Sequence, residues 1–150
     1  MARMSNSSYV RSTNFSRRVD TGLLILRIVI GVVFLMHGGQ KLFVYGFGGV
    51  TGAFGQMGIP MPAVTGPLAA IVEFLAGGAL VIGLLTRLAA FGLAIDMLGA
   101  IIMVHMKGGF FMPNGYEFAL TLLAANVAIA IAGAGYYSID RIIAERRAGR

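Results

Sequence analysis

The sequence predicts an all-α membrane protein, a bundle of four transmembrane helices with both termini in the cytoplasm. Of the 150 residues, 57% are hydrophobic and only 12% are charged, whereas a soluble domain carries about a quarter of its residues as Asp, Glu, Lys or Arg. The apolar residues form four blocks, and about 20 helical residues cross a hydrocarbon core. The basic residues gather at the two ends of the chain and in one short connection.

The four apolar blocks are predicted to be helices, because lipid offers no partner to an unpaired backbone amide. They run from about 23 to 43, 67 to 85, 88 to 106 and 118 to 137. Residues 44–66 hold seven glycines and two prolines, so we expect a loop with room for a short interfacial helix. Thr86 and Arg87 are predicted to form a tight turn, and residues 108–115 a second, aromatic loop. The membrane domain thus covers residues 22–140.

The distribution of Lys and Arg predicts the orientation of the helices. One side holds nine basic residues, namely Arg3, Arg11, Arg17, Arg18, Arg87, Arg141, Arg146, Arg147 and Arg150. The opposite side holds only Lys41 and Lys107. Cytoplasmic segments carry the excess of Lys and Arg, so residues 1–21 and 141–150 are expected to be basic cytoplasmic tails, the first of them flexible.

Several classes of function are disfavoured. The chain has no cysteine, which excludes disulfides, thiolate catalysis and Cys-ligated metals. The net charge of +6 lies mostly at the termini, which fits membrane topology and not nucleic-acid binding. No phosphate loop, nucleophile elbow or dinucleotide fingerprint is present. His37, Glu73 and His105 are ligand types that suit iron or zinc, but they lie on separate helices without a local ligand spacing. We therefore predict no metal site and no intrinsic cofactor.

The candidate site lies where the first two helices approach the outer surface. An ionisable group within a membrane costs several kcal/mol unless it is paired or hydrated, and this makes it a functional candidate. Glu73 lies about 9 Å inside the outer end of its helix at 1.5 Å per residue, so its carboxylate must pair with a cation or stay protonated. Lys41 and His37 belong to the same half of the membrane, and either could reach Glu73. A purely structural ion pair is the alternative.

Four further polar residues are assigned structural roles: Arg27, Arg87, Asp96 and Asn126. Asp96 and Asn126 lie at similar depths near the bilayer centre, where a hydrogen bond between them would hold the bundle together. Arg27 is another candidate partner for Asp96, or it extends to lipid phosphates. His105 projects opposite Asp96 if its helix is regular, and is therefore expected at the outer interface or against a neighbouring subunit.

Four blocks of the sequence resemble the DoxX family over about residues 22–140. They are LRIVIGVVFLMHGGQKLF, IVEFLAGGALVIGLLTRLAA, AIIMVHMKGGFF and GYEFALTLLAANVAIAIAGAGYYSID. The resemblance implies a four-helix integral membrane protein of the bacterial plasma or inner membrane. It also implies a link to quinone-linked oxidoreductases of sulfur metabolism, or to oxidative-stress assemblies. The residues that sit in the recurring blocks are Arg27, His37, Lys41, Glu73, Arg87 and His105.

The leading hypothesis is a small membrane subunit of a quinone-linked redox system. His37 and Glu73 would contact the quinone headgroup and exchange its protons, with Lys41 stabilising charge. Gln40 and His105 are further candidate contacts. A soluble or membrane redox partner is required, because the chain lacks an evident electron carrier and is not expected to be active alone. The alternatives are a non-catalytic anchor for a soluble redox enzyme and a small proton-coupled transporter that uses Asp96. Substrate, quinone type and homo-oligomerisation stay open.

Overall fold

The structure is a computed structural model that describes the backbone of residues 6–149 and the side chains of residues 17–149. Over residues 6–149 every regular element is a helix. Helix α1 (Asn6–Gly39) continues through a π-helical turn (Gln40–Tyr45) into α2 (Gly46–Gln56), and α3 spans Pro62–Ile82. Helix α4 (Thr86–Ala100) continues through a second π-helical turn (Ile101–His105) and a 3-10 turn (Met106–Gly108). Helices α5 (Glu117–Ala132) and α6 (Ile139–Ala148) follow.

Three helical stretches are long and apolar enough to cross a membrane: Arg17–Gln56, Pro62–Ile82 and Thr86–Gly108. The fourth predicted span, 118–137, is shorter than expected, because α5 ends at Ala132 after 16 residues. Gly133 follows with a φ of 88°, a conformation that glycine adopts without strain and that ends the helix. The chain is therefore a helical membrane protein, while the count of four spans stays a prediction.

The other boundaries also differ from those predicted. Residues 6–22, expected in the N-terminal tail, have a helical backbone continuous with α1, and the flexibility of that tail stays a prediction. The region 44–66, expected as a loop, contains α2. Gly46 has φ 65° and ψ 170°, so the chain bends there, and Val50 of α2 packs against Gly66 at the start of α3.

The turn between α3 and α4 comes earlier than the predicted Thr86–Arg87. Gly83 and Leu85 both have a left-handed backbone, with φ of 71° and 47°, and Thr86 already begins α4. A Cβ on Gly83 would lie 2.7 Å from the guanidinium carbon of Arg27. Residue 83 must be glycine because its backbone is left-handed and because the guanidinium of Arg27 occupies the space that a side chain would need.

Helices α1 and α3 form the most extensive helix–helix contact of the bundle. They run antiparallel, and their backbones touch at glycines. A Cβ on Gly77 would lie 2.5 Å from the amide nitrogen of Leu35, and one on Gly31 would lie 2.7 Å from the carbonyl oxygen of Gly77. Small residues that allow close backbone approach are typical of helix pairs in membranes. This contact sets the register that brings the end of α1 beside the middle of α3.

The core of the bundle is apolar and is built from α1, α3, α4 and α5. Its fully buried members include Phe34, Leu80, Leu93 and Ile129. Large apolar side chains also cover the outside of these helices, as expected where lipid and not water surrounds the protein. We call the end that holds residues 83–85 and 133–138 the turn end. The opposite end, with residues 40–61 and 106–116, is the loop end.

Candidate functional site

Lys41 and Glu73 form an ion pair between the first π-helical turn and α3. Lys41 Nζ donates to Glu73 Oε1 at 2.5 Å, and the side chains are 24% and 4% exposed. A carboxylate this buried needs such a partner to offset its lost hydration. Of the two partners expected for Glu73, Lys41 is the one found.

Asp96 lies on the face of α4 that packs on α3, because a Cβ on Gly92, one turn earlier, would stand 3.9 Å from Val72, the residue before Glu73. The carboxyl of Asp96 interacts with that of Glu73 across this contact. Glu73 Oε2 and Asp96 Oδ2 are both buried, and neither has a hydrogen-bond donor within the part of the chain that the structure describes. Three helical segments therefore bring one ammonium and two carboxyls together. We call Lys41, Glu73 and Asp96 the carboxyl cluster.

The predicted hydrogen bond between Asp96 and Asn126 is wrong. Asn126 Nδ2 donates to the carbonyl of Leu122 at 2.8 Å, within its own helix. The next residue after Asp96 is Met97, whose side chain is buried in the apolar core. Successive residues of a helix point about 100° apart, so Asp96 lies beside the core.

His37 and Gln40 are exposed on the outside of α1. Gly38 faces α3, and His37, one residue earlier, is rotated about 100° away from it. Among the described side chains, none of the side-chain hydrogen bonds involves the imidazole of His37, and Lys41 is the residue that meets Glu73.

Both π-helical turns carry a candidate residue. Lys41 lies in the first and His105 in the second, and π-helical turns are frequent at functional sites. A π-helical turn contains an extra residue, which shifts the direction of the side chains within and after it. The expectation that His105 projects opposite Asp96 assumed a regular helix, and the second π-helical turn interrupts that helix. His105 is half-buried.

Arg27 belongs to a different polar cluster, at the turn end. It is only 2% exposed, and its Nη1 and Nη2 donate to the carbonyls of Ala134 at 2.8 Å and Tyr137 at 2.7 Å. Arg27 therefore points into the protein, and neither of its predicted partners, lipid phosphate and Asp96, accounts for these contacts. The residue ties α1 to the segment between α5 and α6.

Asp140 completes this second cluster, and the sequence analysis missed it. Its Oδ1 accepts from the amide of Leu85 at 2.7 Å, and its Oδ2 accepts from the amide of Thr86 at 2.9 Å. These are free amides at the start of α4, where a carboxylate is favoured. Ser138 caps α6, so the Ser-Ile-Asp motif indicated a helix start, but it gave no signal that Asp140 reaches another helix.

Arg87 is exposed, and its guanidinium lies over Gly133, where a Cβ would stand 3.1 Å from Nε. Within the described side chains, no group of three or more His, Cys, Asp or Glu is arranged to hold a metal ion. In the carboxyl cluster the ammonium of Lys41 provides the positive charge.

Two family models match the chain. The family model described as DoxX matches residues 22–106, and that described as TQO small subunit DoxD matches residues 65–149. No solved structure showed a significant match.

Three relatives cover most of the chain. An uncharacterised membrane protein of Mycobacterium tuberculosis is 33% identical over 83% of this chain and 82% of its own length. A Bacillus subtilis protein named "Putative oxidoreductase CatD" is 30% identical over 85% and 91%, and the Escherichia coli inner membrane protein YphA 31% identical over 79% and 88%. The segment matched by the DoxX model contains the whole carboxyl cluster, and the chain belongs to the DoxX family of membrane proteins.

Proposed function

We propose that the chain is the membrane subunit of a redox system and that a quinone headgroup meets it at the carboxyl cluster. The observation that carries this proposal is the buried Glu73, paired with Lys41 and facing Asp96. The family description as the small subunit DoxD and the oxidoreductase in one relative's name support a redox role. The chain would span the membrane four times with both termini in the cytoplasm, which places the loop end at the outer surface.

The residues of the cluster fit a quinone headgroup. Quinone carbonyl oxygens need hydrogen-bond donors, and Lys41 has three ammonium hydrogens, one of which serves Glu73. Glu73 Oε2 and Asp96 Oδ2 have no donor among the described residues, so both retain capacity to hold or exchange a proton. Lys41 is the most exposed member of the ion pair, which gives the cluster a side open to the surroundings of the bundle.

A bound quinone would supply the ring that takes up two electrons from a partner protein, together with two protons. Lys41 would donate a hydrogen bond to a carbonyl oxygen and stabilise negative charge there. Glu73 and Asp96 would hold and deliver protons. His37 and Gln40 are exposed donors near Lys41 in the sequence, and His105 lies on the other π-helical turn. All three stay in the proposal as further headgroup contacts.

Calorimetric titration of a short-chain quinone into the purified chain in nanodiscs tests this function. We expect Lys41→Met, Glu73→Gln and Asp96→Asn to weaken binding at least about tenfold, since a hydrogen bond to a charged group contributes about 1.5–3 kcal/mol. His37→Ala measures the contribution of the exposed imidazole. Glu117→Gln is the matched control, because Glu117 is a half-buried loop-end carboxylate that accepts from the amide of Met112.

Equal quinone affinity in the wild type and all three cluster variants would refute the site. If quinone does not bind while the basic tails still capture a soluble redox enzyme, the chain is an anchor and not a quinone-binding subunit.

A further inference from the structure

The charges of the carboxyl cluster do not balance if every group is ionised. Lys41 contributes one positive charge, while Glu73 and Asp96 would contribute two negative ones. Helix α5, which also packs on α4, has Glu117 as its only titratable residue, and that carboxylate binds the amide of Met112. On α1, Arg27 is bound at the turn end, and His37 is exposed. Within the described side chains, no second cation is bound to the two carboxyls.

The oxygen atoms of the two carboxyls also have too few hydrogen-bond donors. Lys41 occupies Glu73 Oε1, but Glu73 Oε2 and Asp96 Oδ2 are buried without a donor. Buried polar atoms nearly always have a hydrogen-bond partner, and two ionised carboxylates in contact repel each other. The two carboxyls nevertheless face each other where α4 packs on α3. Two carboxyl groups form a hydrogen bond when one of them carries a proton.

We propose that Glu73 and Asp96 share one proton, so that the carboxyl cluster is a neutral proton-binding site. The carboxyl that carries the proton donates to the other, which gives a donor to an oxygen that otherwise lacks one. The ammonium of Lys41 then balances the single negative charge. Release of the proton leaves the cluster with one net negative charge, and this charge favours rebinding of a proton.

The proton site stands without a quinone, while its role as a proton donor to a quinone rests on the proposed function. In that role the O–H bond of the carboxyl pair breaks, and its proton passes to a reduced quinone oxygen. The electrons come from the partner protein. The pair is then reprotonated from water.

Infrared spectroscopy of the chain in quinone-free nanodiscs tests the shared proton. At neutral pH we expect the C=O stretch of a protonated carboxyl, shifted in D2O. Glu73→Gln and Asp96→Asn should each abolish this band, although each keeps one carboxyl, because that carboxyl and Lys41 then balance each other. Lys41→Met should retain it, since removal of the cation disfavours ionisation of both acids. Glu117→Gln is the control that should leave it unchanged.

Two results would overturn the proposal. A wild type without the band has both carboxyls ionised. A band that survives in Glu73→Gln or Asp96→Asn belongs to a single acid and not to the pair. If Asp96→Asn does not fold, Asp96→Glu replaces it as the test variant. Asp96→Glu should keep the band, because it retains a carboxyl at this position. If the expected bands appear but quinone does not bind, the proton site is supported and the proposed function is refuted. If quinone binds but the bands are absent, the proposed function is supported and the shared proton is refuted.

Discussion

Gly38 lies with its backbone directly against that of Phe74, and a Cβ on Gly38 would stand 2.7 Å from the Phe74 Cα. Glu73 immediately precedes Phe74, and Lys41 follows Gly38 by three residues. The close approach of the two backbones therefore brings the two charged side chains into reach of each other. The Lys41–Glu73 ion pair therefore depends on the absence of a side chain at Gly38.

Replacement of Gly38 with alanine should separate α1 from α3 and weaken the Lys41–Glu73 pair. Overpacking a well-packed contact costs about 1–3 kcal/mol, and here the added methyl group meets backbone atoms, which cannot move aside as a side chain does. We expect a lower free energy of unfolding in an SDS titration of the micellar protein.

The adjacent Gly39→Ala variant is the matched control for Gly38→Ala. Its Cβ would meet only aromatic side chains, the rings of Phe74 at 3.6 Å and Phe43 at 4.0 Å, which is ordinary van der Waals contact. Its unfolding free energy should stay close to that of the wild type. Equal stability of the two variants would contradict the contact between the α1 and α3 backbones.

Asp140→Ala should destabilise the turn end. The substitution removes the acceptors of the Leu85 and Thr86 amides, and loss of a helix cap costs about 0.5–2 kcal/mol. The same SDS titration measures the change. Glu145→Ala is the control, since Glu145 forms only an exposed pair with Arg141 on α6, and such pairs contribute little. A loss no greater than that of the control would show that Asp140 does not support α4.

Single cysteines can test the predicted orientation and whether the short helix α5 crosses the membrane. The chain has no cysteine of its own, so each introduced thiol is the only one. Met112→Cys lies before α5 and Ala148→Cys after it. In intact cells, a membrane-impermeant maleimide should label Met112→Cys and leave Ala148→Cys unlabelled until the cells are opened. Labelling of both from outside would contradict cytoplasmic termini and a crossing by α5.

The candidate site was predictable in part. The depth of Glu73 within an apolar helix required a partner, and the sequence analysis left both Lys41 and His37 as candidates. The structure selects Lys41, because Gly38 faces α3 and the π-helical turn carries Lys41 beside Glu73. It also adds Asp96, whose contact with Glu73 depends on how α4 packs on α3.

The sequence by itself determined that the chain is helical and that it belongs in a membrane. These properties follow from local composition and spacing, because lipid requires long apolar helices. Tertiary structure decided which polar groups meet: Glu73 with Lys41 and Asp96, Arg27 with two carbonyls at the turn end, and Asp140 with the start of α4. Each of these contacts joins residues far apart in the chain, so it depends on how the helices pack, which no local pattern specifies.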